Sequence, residues 1–167
     1  MSVRDILHWP DPRLSQRCAP VEQEPLDALI ADLFDTMYAA QGRGLAAPQI
    51  GVMKRVFVMD CGWKDGTPGP MAMINPTIMA AERVPVTAEE GCLSIPGILV
   101  PVTRHQAVTV QWTAPEGDIH MADFDGFEAR CIQHEFDHLN GQVTFDRIAP
   151  ELRAELEPAY LAQQARP

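Results

Sequence analysis

Apolar side chains recur every three or four positions in the first third of the chain, and this pattern predicts a helix over about residues 25–40. Aspartates lie between the apolar positions, so one helix face can pack on a core while the other meets solvent. Pro25 suits a first helical turn, and Gly42 suits a stop. The apolar face comprises Leu26, Leu29, Ile30, Leu33, Phe34, Met37 and Tyr38.

Two further helices are predicted near the end of the chain. The first runs over about residues 125–139 and stops at Asn140-Gly141. Its apolar residues fall on more than one side, which is typical of a buried helix. The second is an acidic C-terminal helix over about residues 150–164, which we expect Pro158 to break or kink. The apolar residues of the first are Phe124, Phe127, Cys131, Ile132, Phe136 and Leu139.

Short β-like stretches occupy the middle of the chain, over residues 55–60, 71–75 and about 107–112. Helices and strands are segregated along the sequence rather than alternating, which favours an α+β fold. The length of 167 residues and the hydrophobic content of 46% fit one core. We therefore expect a single domain over residues 1–167.

The net charge of −10 excludes some partners, because 23 acidic residues face only 13 lysines and arginines. Nucleic-acid binding and polybasic membrane contact both need clustered cations. The N-terminus lacks the apolar region of a signal peptide, and no apolar run approaches membrane-spanning length. These features predict a cytoplasmic protein with reduced cysteines, which are then available to metals or catalysis. The cysteines are Cys18, Cys61, Cys92 and Cys131.

Residues 134–138 read His-Glu-Phe-Asp-His, and this segment carries the strongest chemical pattern. Histidines four residues apart share one helix face, so His134 and His138 can bind one ion. Glu135 follows the first histidine and can hold a proton from water at the ion. Two histidines and a carboxylate would be poor core residues without a metal. The pattern therefore predicts a metal site.

A catalytic metal needs a third protein ligand and one position left for water. One class of HExxH protease uses a further histidine, but Thr144 stands at that position. Cys131 lies one turn before His134, from where its short side chain should not reach the ion, so we interpret it as a small buried residue. Cys92 follows a glycine in a segment free to approach the helix, and we favour it over the alternative of a buried strand cysteine. Three downstream glutamates are a further option with the pattern of a solvated face: Glu151, Glu155 and Glu157.

Three separated segments resemble the motifs of one family, the peptide deformylases, which remove the formyl group from the N-terminal formylmethionine of new bacterial or organellar proteins. Residues 42–49 (GRGLAAPQ) resemble the first motif, residues 90–94 (EGCLS) the second and residues 133–139 (QHEFDHL) the third. The opening residues 6–14 are also similar to the family's N-terminus. The resemblance extends to about Arg147, and three motifs in order make it specific.

The resemblance implies a divalent metal, usually iron(II) and often replaced by nickel, cobalt or zinc. It implies Glu135 as general base and acid. It also implies that Gln49 and the backbone N–H of Leu93 hold the formyl oxygen, and that Gly44 leaves the substrate backbone room to pair. The implied fold has antiparallel sheets around the helix that bears the third motif. The implied metal ligands are Cys92, His134 and His138.

The chain departs from the family's pattern in three places. Arg43 stands where the first motif usually has an aliphatic residue. It is either a solvent-facing loop side chain or part of a changed rim that prefers acidic substrate residues. Residues 98–100 are apolar where many bacterial members carry a polar or arginine side chain. Some members dock on the ribosome through a basic C-terminal helix, and the acidic tail here predicts no such docking.

Other functions stay open at the level of the sequence. The altered rim around Arg43 is compatible with a deformylase-like paralogue that acts on a different N-acyl amide. The HExxH pattern alone is compatible with a zinc endopeptidase, against which Thr144 argues. A non-catalytic module with a structural metal would need a fourth ligand, for which Cys131 is the candidate.

Overall fold

The computed structural model describes residues 2–166, so the two ends of the predicted domain, residues 1 and 167, lie outside the described residues. Helices and strands occupy separate stretches of the chain, which confirms the α+β prediction. The described helices are α1 (Asp27–Ala39), α2 (Gly126–Leu139) and α3 (Pro150–Gln164). The described strands are β1 (Gly44–Ala46), β2 (Val56–Met59), β3 (Met71–Cys92), β4 (Ile95–Thr113) and β5 (Ile119–Asp125).

The described strands form one antiparallel sheet in the order β1-β2-β3-β4-β5, which corrects the prediction of several sheets. Strands β3 and β4 are 22 and 19 residues long and pair along most of their length. Four register shifts interrupt this pairing. Because each bulge bends the strand and increases its twist, two long strands can wrap a core as one continuous sheet.

Helix α1 packs on β1 and β2 through fully buried residues that include Leu33 and Met37. The predicted stop at Gly42 is off by one residue, because the left-handed conformation belongs to Gln41, with φ 60°. Gly42 meets a different constraint: a Cβ there would lie 2.7 Å from Leu93 Cδ1. The glycine therefore allows the first and second sequence motifs to approach each other.

Helix α2 carries the HExxH residues and packs against β1, β2, β4 and β5. Ala129, Ile132 and Leu139 are fully buried in the apolar cluster beneath the sheet. Arg55 closes the C-terminal end of the helix, because its guanidinium donates to the carbonyl of Leu139 and to the side chain of Asn140. A cation at this end also complements the helix dipole.

Helix α3 continues through Pro158, so the predicted break there is wrong. Tertiary contacts on both sides of the proline stabilise the helix against the lost backbone hydrogen bond. The buried Tyr160 donates its hydroxyl to the Trp9 carbonyl at 2.9 Å, and Glu157 accepts from Trp9 Nε1 at 2.6 Å. Glu157 is therefore half-buried and paired, not part of a solvated face. In the described part of the chain, no helix is long and apolar enough to cross a membrane.

Replacing Phe57 with alanine should strongly destabilise the protein. Phe57 lies on β2, is 0% exposed and belongs to the cluster shared with α2. Truncation leaves a cavity, so we expect the free energy of unfolding in urea to fall by about 3–5 kcal/mol. Met79→Ala, at a 53% exposed position on β3, is the control; it should change stability by less than about 0.5 kcal/mol. Equal effects of the two substitutions would contradict this packing.

Candidate metal centre

Three side chains with metal-binding atoms meet where the end of β3 faces α2. Ligand atoms of Cys92, His134 and His138 all lie within 4.8 Å of one another. The Cys92 Sγ is 3.4 Å from His138 Nε2. The two imidazoles stand one helical turn apart with ring centroids separated by 5.1 Å. One thiolate and two imidazoles are a ligand set that suits zinc and other first-row divalent ions.

The structure brings Cys92, and not Cys131, to the histidines. The Cys131 thiol donates to the carbonyl of Arg43 at 3.8 Å, and Cys61 packs against the same apolar cluster. Among residues 2–166, the cluster of metal-binding side chains holds three members and includes no glutamate of α3. Three protein ligands leave a position open, whereas a structural zinc site is closed by four.

Glu90 orients the first histidine from the end of β3. Its carboxylate is 2.9 Å from His134 Nδ1, which leaves Nε2 of that ring to face the other ligands. Arg104 on β4 donates two hydrogen bonds to the same carboxylate, and Arg130 on α2 donates a third. Burial raises the pKa of Glu90, but the hydrogen bonds from His134 and Arg104 outweigh it and bring that pKa to about 2. A carboxylate behind a ligating histidine fixes the orientation and tautomer of the ring.

Asp137 extends this network along α2. It accepts from Arg104 Nη1 at 2.9 Å and also pairs with Arg147. Arg104 thus joins two buried carboxylates, and all three side chains are almost fully enclosed. An unpaired charge would be costly at this depth, so the mutual pairing holds β4 and α2 in one relative position.

The electrostatics of the cluster fit a bound cation. His138 Nδ1 is buried and has no hydrogen-bond partner within the described structure. Burial lowers the pKa of His138 well below its usual value, which keeps this imidazole neutral and able to bind a metal. Burial also opposes charge on His134, but Glu135, Cys92 and Glu90 outweigh that effect and raise its pKa. Negative groups that favour a proton on His134 would equally favour a metal cation.

Glu135 lies buried beside this cluster, and its Oε1 has no partner among the described residues. Burial raises the pKa of Glu135 to about 7, a range in which a carboxyl group can accept and return a proton. A Cβ on Gly44 would lie 2.7 Å from Glu135 Oε2 and 2.8 Å from Cys131 Sγ. The missing side chain of Gly44 therefore makes room for Glu135, a role that the sequence did not indicate.

Gln49 is held with its amide nitrogen toward the second motif. Its Oε1 accepts from the backbone N–H of Ala46 at 2.9 Å, so Nε2 faces Ser94 Oγ at 3.0 Å and Cys92 Sγ at 3.9 Å. The N-terminal segment ties both loops together, because the N–H of Leu7 donates to the Gln49 carbonyl and that of Trp9 to the Ser94 carbonyl.

A cavity of about 600 Å³ opens onto the cluster. Cys92, His134 and Glu135 line it together with Gln49. Arg43, Gly44 and Leu93 also line it, so each predicted catalytic, substrate-binding or metal-binding residue except His138 reaches the cavity wall. The apolar wall residues lie at the end of the second motif and just after it: Leu93, Ile95, Pro96, Ile98 and Leu99.

Sequence reasoning missed the positioning residues Glu90 and Arg104. For Arg104 an indication was present: Val100, Val102 and Arg104 alternate along β4, and all three are buried. A charge at an inward position of an alternating strand needs a buried partner. For Glu90 the second motif contains the residue, but local sequence does not distinguish it from the neighbouring Glu89.

The chain matches known proteins in both sequence and fold. The family model described as polypeptide deformylase matches residues 3–154. The chain is 42% identical over 151 residues to a peptide deformylase of Afipia carboxidovorans. This alignment covers 89% of this chain and 88% of that protein. It is 45% identical over 145 residues to the peptide deformylase of Thermotoga neapolitana, and this alignment covers 86% of this chain and 85% of that protein. The crystal structure of a peptide deformylase from Legionella pneumophila matches with a TM-score of 0.87 and 39% identity over 99% of this chain and 100% of that one. That from Thermotoga maritima matches with a TM-score of 0.84 and 41% identity, covering 90% and 100%.

Replacing Glu90 with glutamine should weaken metal binding. The neutral amide cannot balance Arg104 and Arg130, and it no longer fixes the His134 ring. We expect zinc affinity, measured by competition with a chromophoric chelator, to fall about 10–100-fold. Glu89→Gln is the matched control, because Glu89 is the adjacent, exposed carboxylate. Unchanged affinity in Glu90→Gln would contradict the positioning role.

Proposed function

Because this chain belongs to the polypeptide deformylase family and removes the N-formyl group from newly made proteins, we propose that the residues around Cys92, His134 and His138 carry out that hydrolysis. One observation carries the proposal: three metal-binding side chains converge beside the buried Glu135 at a cavity with apolar walls. This arrangement would supply ligands for an ion, a proton acceptor and a binding surface in one place.

Cys92, His134 and His138 would hold the ion, with iron(II) as the native metal and zinc, nickel or cobalt as substitutes. A cysteine thiolate with two imidazoles is compatible with each of these ions. When bound, the ion supplies Lewis-acid chemistry, which lowers the pKa of water and polarises a carbonyl group. Glu90 would support these three ligands, because its contact with Nδ1 of His134 fixes the orientation of that ring.

Glu135 would move the proton during hydrolysis. It takes a proton from the attacking water as the new C–O bond forms at the formyl carbon. It returns that proton to the amine nitrogen as the C–N bond breaks, so the products are formate and a free N-terminus. Its burial and its unpartnered Oε1 support this role, since a carboxylate engaged in ion pairs could not exchange protons freely.

Gln49 and the backbone N–H of Leu93 would stabilise the negative charge that develops on the formyl oxygen. The fixed direction of the Gln49 amide supports this assignment, because its Nε2 lies on the Cys92 side of the group. Loss of one such donor commonly costs 100-fold or more, on the order of 3 kcal/mol.

The apolar wall formed by Leu93 and Ile98 would receive the methionine side chain, while Gly44 lies where the substrate backbone would pair. The reaction would take place in the cytoplasm. We propose no ribosome docking through α3, because its Arg153 is already paired with Glu157 and Asp146.

Cys92 and Cys131 can be distinguished by metal content. Cys92→Ser should lose most of the bound zinc or iron, because the thiolate ligand is gone. Cys131→Ser should retain nearly one metal ion per chain, since its thiol faces the Arg43 carbonyl. Inductively coupled plasma mass spectrometry of the two folded variants measures this difference. Metal loss in Cys131→Ser with retention in Cys92→Ser would reverse the assignment.

Formate release from formyl-Met-Ala-Ser by anaerobically prepared, metal-loaded protein tests the function. We expect turnover by the wild type and a loss of about 100-fold to 10,000-fold in Glu135→Gln. Glu128→Gln, which removes an exposed carboxylate from the same helix, should keep wild-type activity. Acetyl-Met-Ala-Ser should remain intact. Cleavage of the acetyl peptide at a similar rate would indicate a different N-acyl amide substrate.

A further inference from the structure

One side of the cavity mouth is built from two separate segments that Trp63 joins. The indole N–H of Trp63 donates to the carbonyl of Gly42 at 2.9 Å, and Tyr38 packs edge-on against the indole with ring centroids 5.3 Å apart. These contacts place Lys64 next to the loop that carries Arg43. Both cations line the cavity.

The two cations are held by aromatic rings rather than by close carboxylates. The Arg43 guanidinium lies 5.2 Å from the centroid of the Phe127 ring, and the Lys64 ammonium lies 5.6 Å from that of Trp63. The carboxylate that pairs with Arg43 belongs to Asp65, at 3.8 Å, and that side chain is 65% exposed. A ring fixes the position of a cation without neutralising it, and a long, exposed ion pair contributes little.

The other charged groups at the cavity do not cancel this pair. Arg130 and Glu90 are paired with each other, and Glu135 lies buried at the floor. Glu89, exposed on β3, also lines the cavity and offsets one of the two positive charges. The segment beyond Cys92 offers apolar groups such as Leu99. An extended peptide therefore meets a net positive charge on the side of the cavity formed by Arg43 and Lys64.

We propose that Arg43 and Lys64 select formylated peptides with an acidic side chain in the first positions after methionine. The inference rests on the proposed function and adds a substrate class to it. With a net charge of −10, the protein as a whole repels acidic peptides, so a preference for them requires local cations at the site. Such contacts form equally in the ground state and the transition state, so the preference belongs in KM rather than kcat.

Steady-state kinetics of the metal-loaded enzyme on formyl-Met-X-X-Ser peptides, with X as Asp, Ala or Lys, tests the preference. The two X positions sample the first and second residues after the methionine. At low ionic strength we expect kcat/KM for the Asp peptide to exceed that for the Lys peptide by about tenfold, with Ala between them. The ratio should shrink at about 1 M salt, where charges are screened beyond roughly 3 Å.

Charge reversal locates the effect. Arg43→Glu and Lys64→Glu should each lower the Asp-to-Lys ratio, and the double variant should invert it. Because Lys64 is exposed, Lys64→Glu keeps the test valid even where Arg43→Glu does not fold. Arg83→Glu makes the same charge change at an exposed position on β3 that lines another cavity, and it should leave the ratio unchanged.

Two results would overturn the inference, and they are distinguishable. Equal kcat/KM for the three peptides, or a ratio that Arg83→Glu changes as much as Lys64→Glu, would reject the local preference while leaving deformylation intact. Failure to release formate from any of the three peptides would reject the proposed function and the preference together.

Discussion

The site depends on one buried carboxylate that connects three elements. Glu90, 7% exposed at the end of β3, is hydrogen-bonded by Arg104 from β4 and by His134 and Arg130 from α2. Desolvation of such charges costs several kcal/mol per ion, and only complete pairing offsets it. A slip of one residue between β3 and β4 would turn Arg104 to the opposite face of the sheet and leave Glu90 uncompensated. The same pairing that stabilises the strand register therefore fixes the imidazole of His134.

The register of β3 also explains how Cys92 reaches the histidines. Pairing between β3 and β4 is regular from Pro85 to Glu90 and then shifts before Cys92 pairs with Ile95. A bulge changes the direction of the side chain that follows it. Glu90 can thus face His134 while Cys92, two residues later, faces His138. The shift in strand pairing places Cys92, and helical spacing places His134 and His138. Both are needed to bring the three ligand atoms together.

The sequence predicted those features that local periodicity determines. The three helices lie within about two residues of their predicted bounds, because apolar spacing and stop residues are local properties. Strands β3 and β4 were predicted too short: residues 77–89 are largely exposed, include Pro85 and become strand only by pairing with β4. The HExxH residues followed from helical spacing, whereas Cys92 was one of several candidates from the residues alone. Glu90 and Arg104 needed the long-range register, which no short window of sequence contains.

The cations near the site differ in how deeply they are buried and in whether carboxylates or aromatic rings hold them. Arg104 is buried and pairs with both Glu90 and Asp137, so these carboxylates neutralise its charge and the pairing stabilises the fold. Arg43 is held by the Phe127 ring and by a distant, exposed Asp65, so its charge persists at the cavity mouth. An aromatic ring restricts a guanidinium to one place at little electrostatic cost, whereas a carboxylate would neutralise it. A cation that is positioned by an aromatic ring therefore keeps its charge available to a ligand. A cation that is positioned by carboxylates is neutralised by them and stabilises the fold instead.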